Sequence, residues 1–204
     1  MGRPGQVLGR AGGGMDNASW AKHDAVARIG KSGEVRTGAI LDALARRDGG
    51  PTVMHDLRIP IAGINANIDH LVVSGRTVYL LDAKVWKPGF YWTAGGRTRR
   101  GLSRFAPADK KTMPMAVEAI TRFLARHQVS AEIVTPLLVV WPSSERSRTD
   151  LWAMASPGAR VVSGARFAAK AHRLVGTRPA NPYLASTLSS LVNGLQRRSS
   201  AAAA

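Results

Sequence analysis

Two aspartates and one lysine have the residue types and spacing of a cation site: Asp69, Asp82 and Lys84. Asp82 and Lys84 are two residues apart, so their side chains leave the same face of a β-strand. Two facing carboxylates about 5 Å apart repel by about 3 kcal/mol at an effective dielectric of about 20. A shared proton could relieve this repulsion, but a hard divalent metal with oxygen ligands suits carboxylates better.

Two carboxylates and an ammonium are a set suited to metal-dependent phosphodiester hydrolysis. In this interpretation Asp69 and Asp82 hold Mg²⁺ or Mn²⁺, and the carbonyl of Ala83 adds a ligand. Lys84 would position water or stabilise the developing charge. The alternative is structural, with Lys84 forming a salt bridge that neutralises one acid. The spacing alone favours neither interpretation.

A tight hairpin must bring the two aspartates together. The segments 67–74 and 77–85 are rich in Val, Ile and Leu, as strands are. A two-residue type II′ turn that begins at Gly75 sets a register in which Asp69 lies directly opposite Asp82. The other residues of both faces are mostly apolar, so we expect the hairpin at the centre of a sheet that is covered on both sides.

A helix is expected to contribute a third acid, Glu34. Ser32 is a suitable N-cap, and Gly49-Gly50-Pro51 stops the helix after about residue 47. Glu34 then lies in the first turn, where an acid complements the helix dipole. Because the rest of its face is apolar, the helix should pack on the core and carry Glu34 in with it.

The histidines and the asparagine beside these acids are expected to be structural. His70 follows Asp69 and, by the alternation of a strand, points to the opposite face. His55 lies in the preceding β-type segment. Asn67 either orients the segment that carries Asp69 or closes the end of its strand.

The remaining segments complete a mixed α/β fold. The order along the chain is helix, three strands, helix, strand, which is typical of a layered α/β domain. A segment around Phe90 begins a further strand or hairpin arm. Besides the hairpin, strands are expected at residues 52–59 and 133–141. The second long helix is expected at residues 109–127.

The sequence divides into a domain, an extension and two tails. Residues 1–19 are basic and Gly-rich and are expected to be a flexible tail. Residues 20–142 are expected to form the main domain. Residues 143–198 are expected to add a strand and helices that pack on this core, and residues 199–204 to be disordered.

The charge balance indicates a polyanionic partner. The chain of 204 residues has 29 Lys and Arg against 13 Asp and Glu, a net charge of +16, so nucleic acid is the natural ligand. The absence of cysteine excludes a disulfide scaffold and any Cys-ligated zinc or iron–sulfur site. The sequence has neither a run of about 18 apolar residues nor a signal-peptide pattern, which favours a cytoplasmic protein without a membrane partner.

A basic cluster follows the hairpin. The segment 95–104 has the composition of a Gly/Arg loop, and Asp109 is the one acid between residues 95 and 111. We expect phosphate contacts here, with a solvated loop as the alternative. Nearby Trp86 and Trp92 could stack on bases or belong to the core. The residues of this cluster are Arg97, Arg99, Arg100, Arg104, Lys110 and Lys111.

Several of these segments together resemble a known family. The blocks are Ser32-Gly-Glu, His55-Asp-Leu-Arg-Ile-Pro, Asn67-Ile-Asp-His-Leu-Val-Val and Leu80-Leu-Asp-Ala-Lys-Val-Trp. They resemble the nuclease-related domain (NERD) family of the PD-(D/E)XK nuclease-like superfamily, over roughly residues 33–124. The resemblance implies a restriction-endonuclease-like mixed sheet, a Mg²⁺ or Mn²⁺ cofactor and four catalytic residues, Glu34, Asp69, Asp82 and Lys84.

The second helix departs from the family pattern. Family members tend to have a Gln shortly after an Asn-Pro or similar start, whereas residues 105–112 contain none, and Lys110 or Lys111 stands in its place. Our leading hypothesis is a metal-dependent nuclease that acts on DNA. The alternatives are a catalytically silent nucleic-acid-binding protein and an accessory protein of a DNA-processing system that binds a protein partner through its C-terminal helices.

Overall fold

The computed structural model of the chain describes residues 3–13, 24–61, 66–144 and 148–193. The predicted tail at residues 199–204 and part of the predicted tail at residues 1–19 lie outside these ranges. The helices are α1 (Asp24–Ala45), α2 (Thr112–Arg126), α3 (Gly164–Leu174) and α4 (Pro182–Ser189), and a 3-10 helix (Ala106–Asp109) precedes α2. The strands are β1 (Val7–Leu8), β2 (Thr52–Arg58), β3 (Asn67–Ser74), β4 (Thr77–Trp86), β5 (Gly89–Ala94), β6 (Arg97–Arg100), β7 (Ser103–Arg104), β8 (Glu132–Ile133), β9 (Leu137–Pro142), β10 (Thr149–Ala153) and β11 (Arg160–Ser163).

The main sheet is mixed, with the hairpin at its centre. Its strand order is β1-β2-β3-β4-β9-β11, and β8 pairs with β4 beside this path. The pairs of β3 with β2 and with β4 are antiparallel, whereas β4–β9, β9–β11 and β1–β2 are parallel. The predicted mixed α/β sheet is therefore confirmed.

Both faces of the main sheet are covered, as its apolar hairpin predicts. Leu71 and Leu80 pack in one core cluster with side chains of α2 and α4. Their neighbours Val72 and Leu81 pack in a second cluster with α1 and α3. This alternation along each strand puts one apolar layer on either face, and α1 lies over the second layer.

Helix α1 begins earlier than the sequence predicts. It runs without a break from Asp24 to Ala45, so Ser32 is inside the helix and is not its N-cap. Glu34 therefore lies in the middle of the helix rather than in the first turn, and the helix dipole does not explain its position. Leu41 and Ala45, on the same face as Glu34, are fully buried, as the apolar spacing predicts.

The Gly/Arg segment is a small sheet and not a loop. Strands β5, β6 and β7 form consecutive antiparallel pairs, and β10 joins them parallel to β5, in the order β10-β5-β6-β7. Only the pairs Gly95-Gly96 and Gly101-Leu102 separate the arginine-bearing strands. In β6, Thr98 is fully buried between the exposed Arg97 and Arg99. This alternation is typical of a strand with one covered face.

The N-terminal segment pairs with the main sheet where it is described. Val7 and Leu8 pair with Val53 and Met54 of β2, and the N–H of Gly5 donates to the carbonyl of Ala45. Backbone hydrogen bonds to a buried strand therefore order this segment despite its glycine content.

Within the described ranges, none of the helices combines the length and apolarity needed to cross a membrane.

Candidate active site

The predicted hairpin register is confirmed up to the position before the acids. The pairs run from Ser74–Thr77 to His70–Leu81, and Gly75 has φ +62°, as a type II′ turn requires. The predicted direct pairing of the two aspartates is not found. Instead, Oδ2 of Asp69 accepts a hydrogen bond of 2.8 Å from the N–H of Ala83.

The two central strands separate at this position. Beyond His70, β3 continues with β2 as far as Asn67, whereas β4 continues with β9 up to Trp86. A side chain of one strand can then reach the backbone of the other, as Asp69 reaches Ala83. The separation opens a place for polar side chains in an otherwise apolar sheet.

Lys84 connects the two aspartates. Its Nζ donates to Oδ1 of Asp82 at 2.6 Å and lies 3.8 Å from Oδ2 of Asp69. The carbonyl of Ala83 is 3.5 Å from the same Nζ. The side chain of Lys84 is 45% exposed, whereas those of Asp69 and Asp82 are 13% and 16% exposed. The acids are thus recessed and the ammonium reaches them from the solvent side.

Glu34 approaches this group from α1. A side chain at the neighbouring Gly33 would place its Cβ 2.7 Å from Cγ2 of Val85, so glycine allows the helix to lie close against β4. Burial raises the pKa of Glu34 to about 7, with Lys84 opposing and Asp82 adding to the rise. Glu34 is therefore within electrostatic range of Asp82 and Lys84.

The electrostatics of the group depend on Lys84. Burial raises the pKa of Asp69 well above its usual range, and Lys84 opposes this rise. Burial alone would lower the pKa of Lys84, but the charges of Asp69 and Asp82 outweigh burial and raise it. Lys84 is therefore an ammonium at neutral pH, held among acids that need its charge.

Asp56 is a further acid near Glu34 that the sequence did not reveal. Its charge contributes to the raised pKa of Glu34. It has φ +54°, a conformation that few non-glycine residues adopt and that Asp tolerates better than most. It lies in β2 between His55 and Leu57, which pair with His70 and Ile68, the residues on either side of Asp69 in β3. Asn67 donates to its Oδ1 at 2.7 Å, so Asn67 orients Asp56.

The histidines have the structural role that the sequence predicts. His70 is fully buried, and its Nδ1 lies 2.8 Å from Nδ1 of His55. Nε2 of His55 is 2.8 Å from Oδ1 of Asp42 on α1. These three residues form a polar connection between the helix and the sheet, beneath the face that carries Glu34.

The residues of the predicted basic cluster lie in different places: three on β6, one on β7 and two just before α2. Arg97 and Arg99 are exposed on β6, whereas Arg100 is only partly exposed and lies near the hydroxyl of Tyr91. Arg104 lies 3.6 Å from Oδ2 of Asp109. Lys110 and Lys111 are exposed just before α2.

The donor set suits a hard divalent cation. The carboxylates of Asp69 and Asp82 and the carbonyl of Ala83 offer only oxygen atoms, which Mg²⁺ and Mn²⁺ prefer. All three groups share Lys84 as a neighbour, so the group already attracts positive charge. Among the residues that the structure describes, no three or more His, Cys, Asp or Glu side chains are grouped as a metal site.

Comparison with known proteins identifies the family. Residues 29–140 match the family model of the nuclease-related domain, NERD, which covers more than half of the chain. No curated protein and no solved structure matches the sequence. The broader class of NERD is the PD-(D/E)XK superfamily, whose nuclease-like domains usually use divalent metals. With a mixed sheet that separates at its acids and a helix that supplies a further acid, the chain belongs to the nuclease-related domain family and has a restriction-endonuclease-like fold.

Proposed function

We propose that this protein is a Mg²⁺- or Mn²⁺-dependent nuclease that hydrolyses phosphodiester bonds of DNA. The observation that carries the proposal is the position of Lys84, whose Nζ lies 2.6 Å from Asp82 and 3.8 Å from Asp69 where two central strands separate. This arrangement brings together the residue types that phosphodiester hydrolysis needs, in a chain that belongs to a nuclease-related family.

Each residue of the group has a proposed role. Asp69, Asp82 and the carbonyl of Ala83 would hold the metal ion, and Glu34 would add a further carboxylate from α1. When bound, a divalent metal supplies Lewis-acid polarisation of a phosphoryl oxygen and activation of water. Because its pKa is raised, Lys84 remains charged and acts as a stabiliser of negative charge rather than as a base.

Nucleic acid is the proposed substrate because the whole chain is strongly basic. A net charge of +16 favours phosphate contacts that release counterions, so we expect binding to fall steeply as salt rises. Arg97, Arg99, Arg100 and Arg104 would contribute to these contacts with Lys110 and Lys111. We further propose a cytoplasmic location, where such a substrate is accessible.

Plasmid cleavage tests the proposal. Purified protein is incubated with supercoiled and linear plasmid in Mg²⁺, Mn²⁺ or EDTA, beside Asp82→Ala and Lys84→Ala. Glu118→Ala is a matched control, since Glu118 is an exposed acid on α2 that pairs only with Arg122 in the described contacts. We expect metal-dependent cutting by the wild type and the control, and none by the two site variants.

A second candidate is a nucleic-acid-binding protein without catalytic activity. The absence of a Gln from residues 105–112, before α2, favours it. No cutting by the wild type in any metal, with DNA binding intact, would support this candidate over the nuclease.

A further inference from the structure

The small sheet packs one face on the main body through a hydrophobic core cluster, and no such cluster of described residues covers its other face. Tyr91 and Thr98 point towards the main body, where Tyr91 packs with Trp86 and Leu138 and Thr98 is fully buried. Residues directly opposite each other in an antiparallel pair share a face. Trp92 is therefore on the same face as Arg99, and Arg99 on the same face as Arg104, opposite to the face that carries Tyr91.

Aromatic side chains occupy one half of this outer face. Phe90 lies two residues before Trp92 and so shares its face. The ring of Trp152, from the neighbouring β10, lies 5.6 Å from that of Phe90 at an interplanar angle of 34°. Trp152 is 84% exposed and Phe90 38% exposed. A tryptophan with so much of its ring in water is unusual for a side chain with a structural role alone.

Arginines occupy the other half. The guanidinium of Arg99 lies 5.6 Å from the ring centroid of Trp92, and the indole N–H of Trp92 donates to the carbonyl of Gly101 at 2.8 Å. Both contacts hold the indole in place. Arg97 is exposed on the same strand, and Ala94 opposite it adds no bulk. The acid nearest in register is Asp150, which faces Phe90 from β10.

We propose that this outer face, formed by Phe90, Trp92, Trp152, Arg97, Arg99 and Arg104, binds single-stranded nucleic acid by stacking unpaired bases on its aromatic half and contacting phosphates with its arginines. The inference deepens the proposed function, because it rests on nucleic acid being the ligand. Exposed rings on a sheet accept the face of any base, and adjacent arginines track the backbone. Bases inside a duplex are already stacked, so their faces are not available to Phe90 and Trp152.

A cleft beside Trp152 extends the charged surface. Its volume is about 590 Å³, and Arg148, Trp152 and Arg166 are among its lining residues. A strand that stacks on Trp152 would therefore meet two arginines and one acid, Asp150, in this cleft. Around this face and cleft, cations outnumber acids, and this excess of positive charge favours a polyanion as the ligand. The cations are Arg97, Arg99, Arg104, Arg148 and Arg166, and the acids are Asp109, which pairs with Arg104, and Asp150.

Binding measured without cleavage tests the inference. Fluorescence anisotropy in EDTA compares a short oligothymidylate, its oligouridylate counterpart and a hairpin duplex of the same length, each with a fluorescein label. The proteins are the wild type, Trp152→Ala, Trp152→Phe, Phe90→Ala and Arg97→Gln. Tyr183→Ala is the matched control, since Tyr183 is another exposed aromatic residue, 63% exposed, on α4 outside the small sheet.

The expected result separates stacking from charge. Trp152→Ala loses about tenfold in affinity for the oligothymidylate and less than about twofold for the duplex. It also loses most of the quenching of tryptophan fluorescence, whereas Trp152→Phe keeps the affinity and Tyr183→Ala behaves like the wild type. Arg97→Gln weakens binding of all three ligands and reduces their salt dependence. Tighter binding of the thymidylate or of the uridylate identifies DNA or RNA as the preferred strand.

Other results overturn the inference and are distinguishable from failure of the proposed function. If Trp152→Ala and Phe90→Ala both bind the oligothymidylate as the wild type does, the outer face is not the site. If the wild type binds only the duplex and still cuts plasmid, the nuclease stands and the stacking site falls. A wild type that dimerises through Trp152 assigns the face to a second copy of the chain. A wild type that binds no nucleic acid and cuts none removes both proposals.

Discussion

Asp69 is attached to the backbone of the neighbouring strand, because its Oδ2 accepts the N–H of Ala83 at 2.8 Å. We predict that Asp69→Ala lowers the free energy of unfolding by about 1 to 3 kcal/mol, since it leaves that buried donor without its partner. Asp69→Asn keeps an acceptor and removes a carboxylate that burial disfavours, so it should be at least as stable as the wild type at pH 7. Urea unfolding in EDTA measures both, and equal losses in the two variants would show that the hydrogen bond does not matter.

Lys84 should stabilise the protein when no metal is present. Its ammonium lies between Asp82 and Asp69, so Lys84→Met leaves these acids without that counter-charge and should cost about 1 kcal/mol, a modest value because the lysine is half exposed. Added Mn²⁺ should raise the melting temperature of Lys84→Met more than that of the wild type. Lys84→Arg keeps the charge and serves as the control. An identical response to Mn²⁺ in all three proteins would count against this role.

Glu34 should make stability depend on pH. Its folded pKa of about 7 is above the ordinary value of 4.5 for a glutamate, so the folded protein binds this proton more tightly than the unfolded chain does. The residue therefore costs nothing below about pH 4.5, an increasing amount up to about pH 7, and a constant amount above it, at most about 3 kcal/mol.

Glu34→Gln removes this dependence. Relative to the wild type, we expect the variant to gain stability as pH rises from 4.5 to 7 and to keep that gain at higher pH. Thermal unfolding in EDTA across this range measures the difference, in which the other titrating groups largely cancel. Glu118→Gln changes an exposed acid on α2 and should give a flat difference. A flat difference for Glu34→Gln as well would contradict the prediction.

The C-terminal segment should be required for folding. Phe167 of α3 and Leu188 of α4 are fully buried, and each belongs to a different core cluster of the main sheet. A chain that ends at residue 142 lacks both, together with β10 and β11, so we expect no cooperative unfolding transition. A chain that ends at residue 193 keeps every described element and is the control. A cooperative transition in the shorter chain would support residues 20–142 as an independent domain.

The hairpin that carries the candidate site could be predicted because its information is local. A two-residue turn at Gly75 fixes the register, and that register holds from Ser74–Thr77 to His70–Leu81. The position of Asp69 relative to Asp82 could not be predicted, because it depends on where β4 leaves β3 to continue with β9. That pairing joins segments separated by more than fifty residues.

Asp56 shows a second limit of sequence reasoning. It lies in β2 across from the segment of β3 that carries Asp69. The connection between these strands spans residues 59–66, and a connection of that length does not fix a register. The positive φ of Asp56 also breaks the simple alternation of its strand. In the sequence Asp56 simply follows His55, and no local pattern indicates that it lies near the other acids.

The start of α1 and the small sheet could not be predicted, because their Ser and Gly residues suggest a different local structure. Ser32 and Gly33 have the composition of a helix start, yet Gly33 serves the close approach of the helix to Val85, and the helix continues through both. The glycines near the arginines suggest a loop, whereas they form the turns of β5, β6 and β7. Trp152 lies in β10, which is distant from β5 in the sequence and pairs with it only in the folded sheet. Its ring contact with Phe90 is therefore a tertiary contact that local sequence does not predict.

Strand β1 has a consequence for the behaviour of the protein in concentrated solution. β2 is seven residues long and mostly buried, and an uncovered strand of this kind is a template for edge-to-edge aggregation. β1 occupies that edge with only two residues, too few to serve as a template itself. At the opposite edge, β11 has four residues and begins with Arg160. The N-terminal segment therefore covers part of an edge that would otherwise be open to strand pairing with a second copy of the chain.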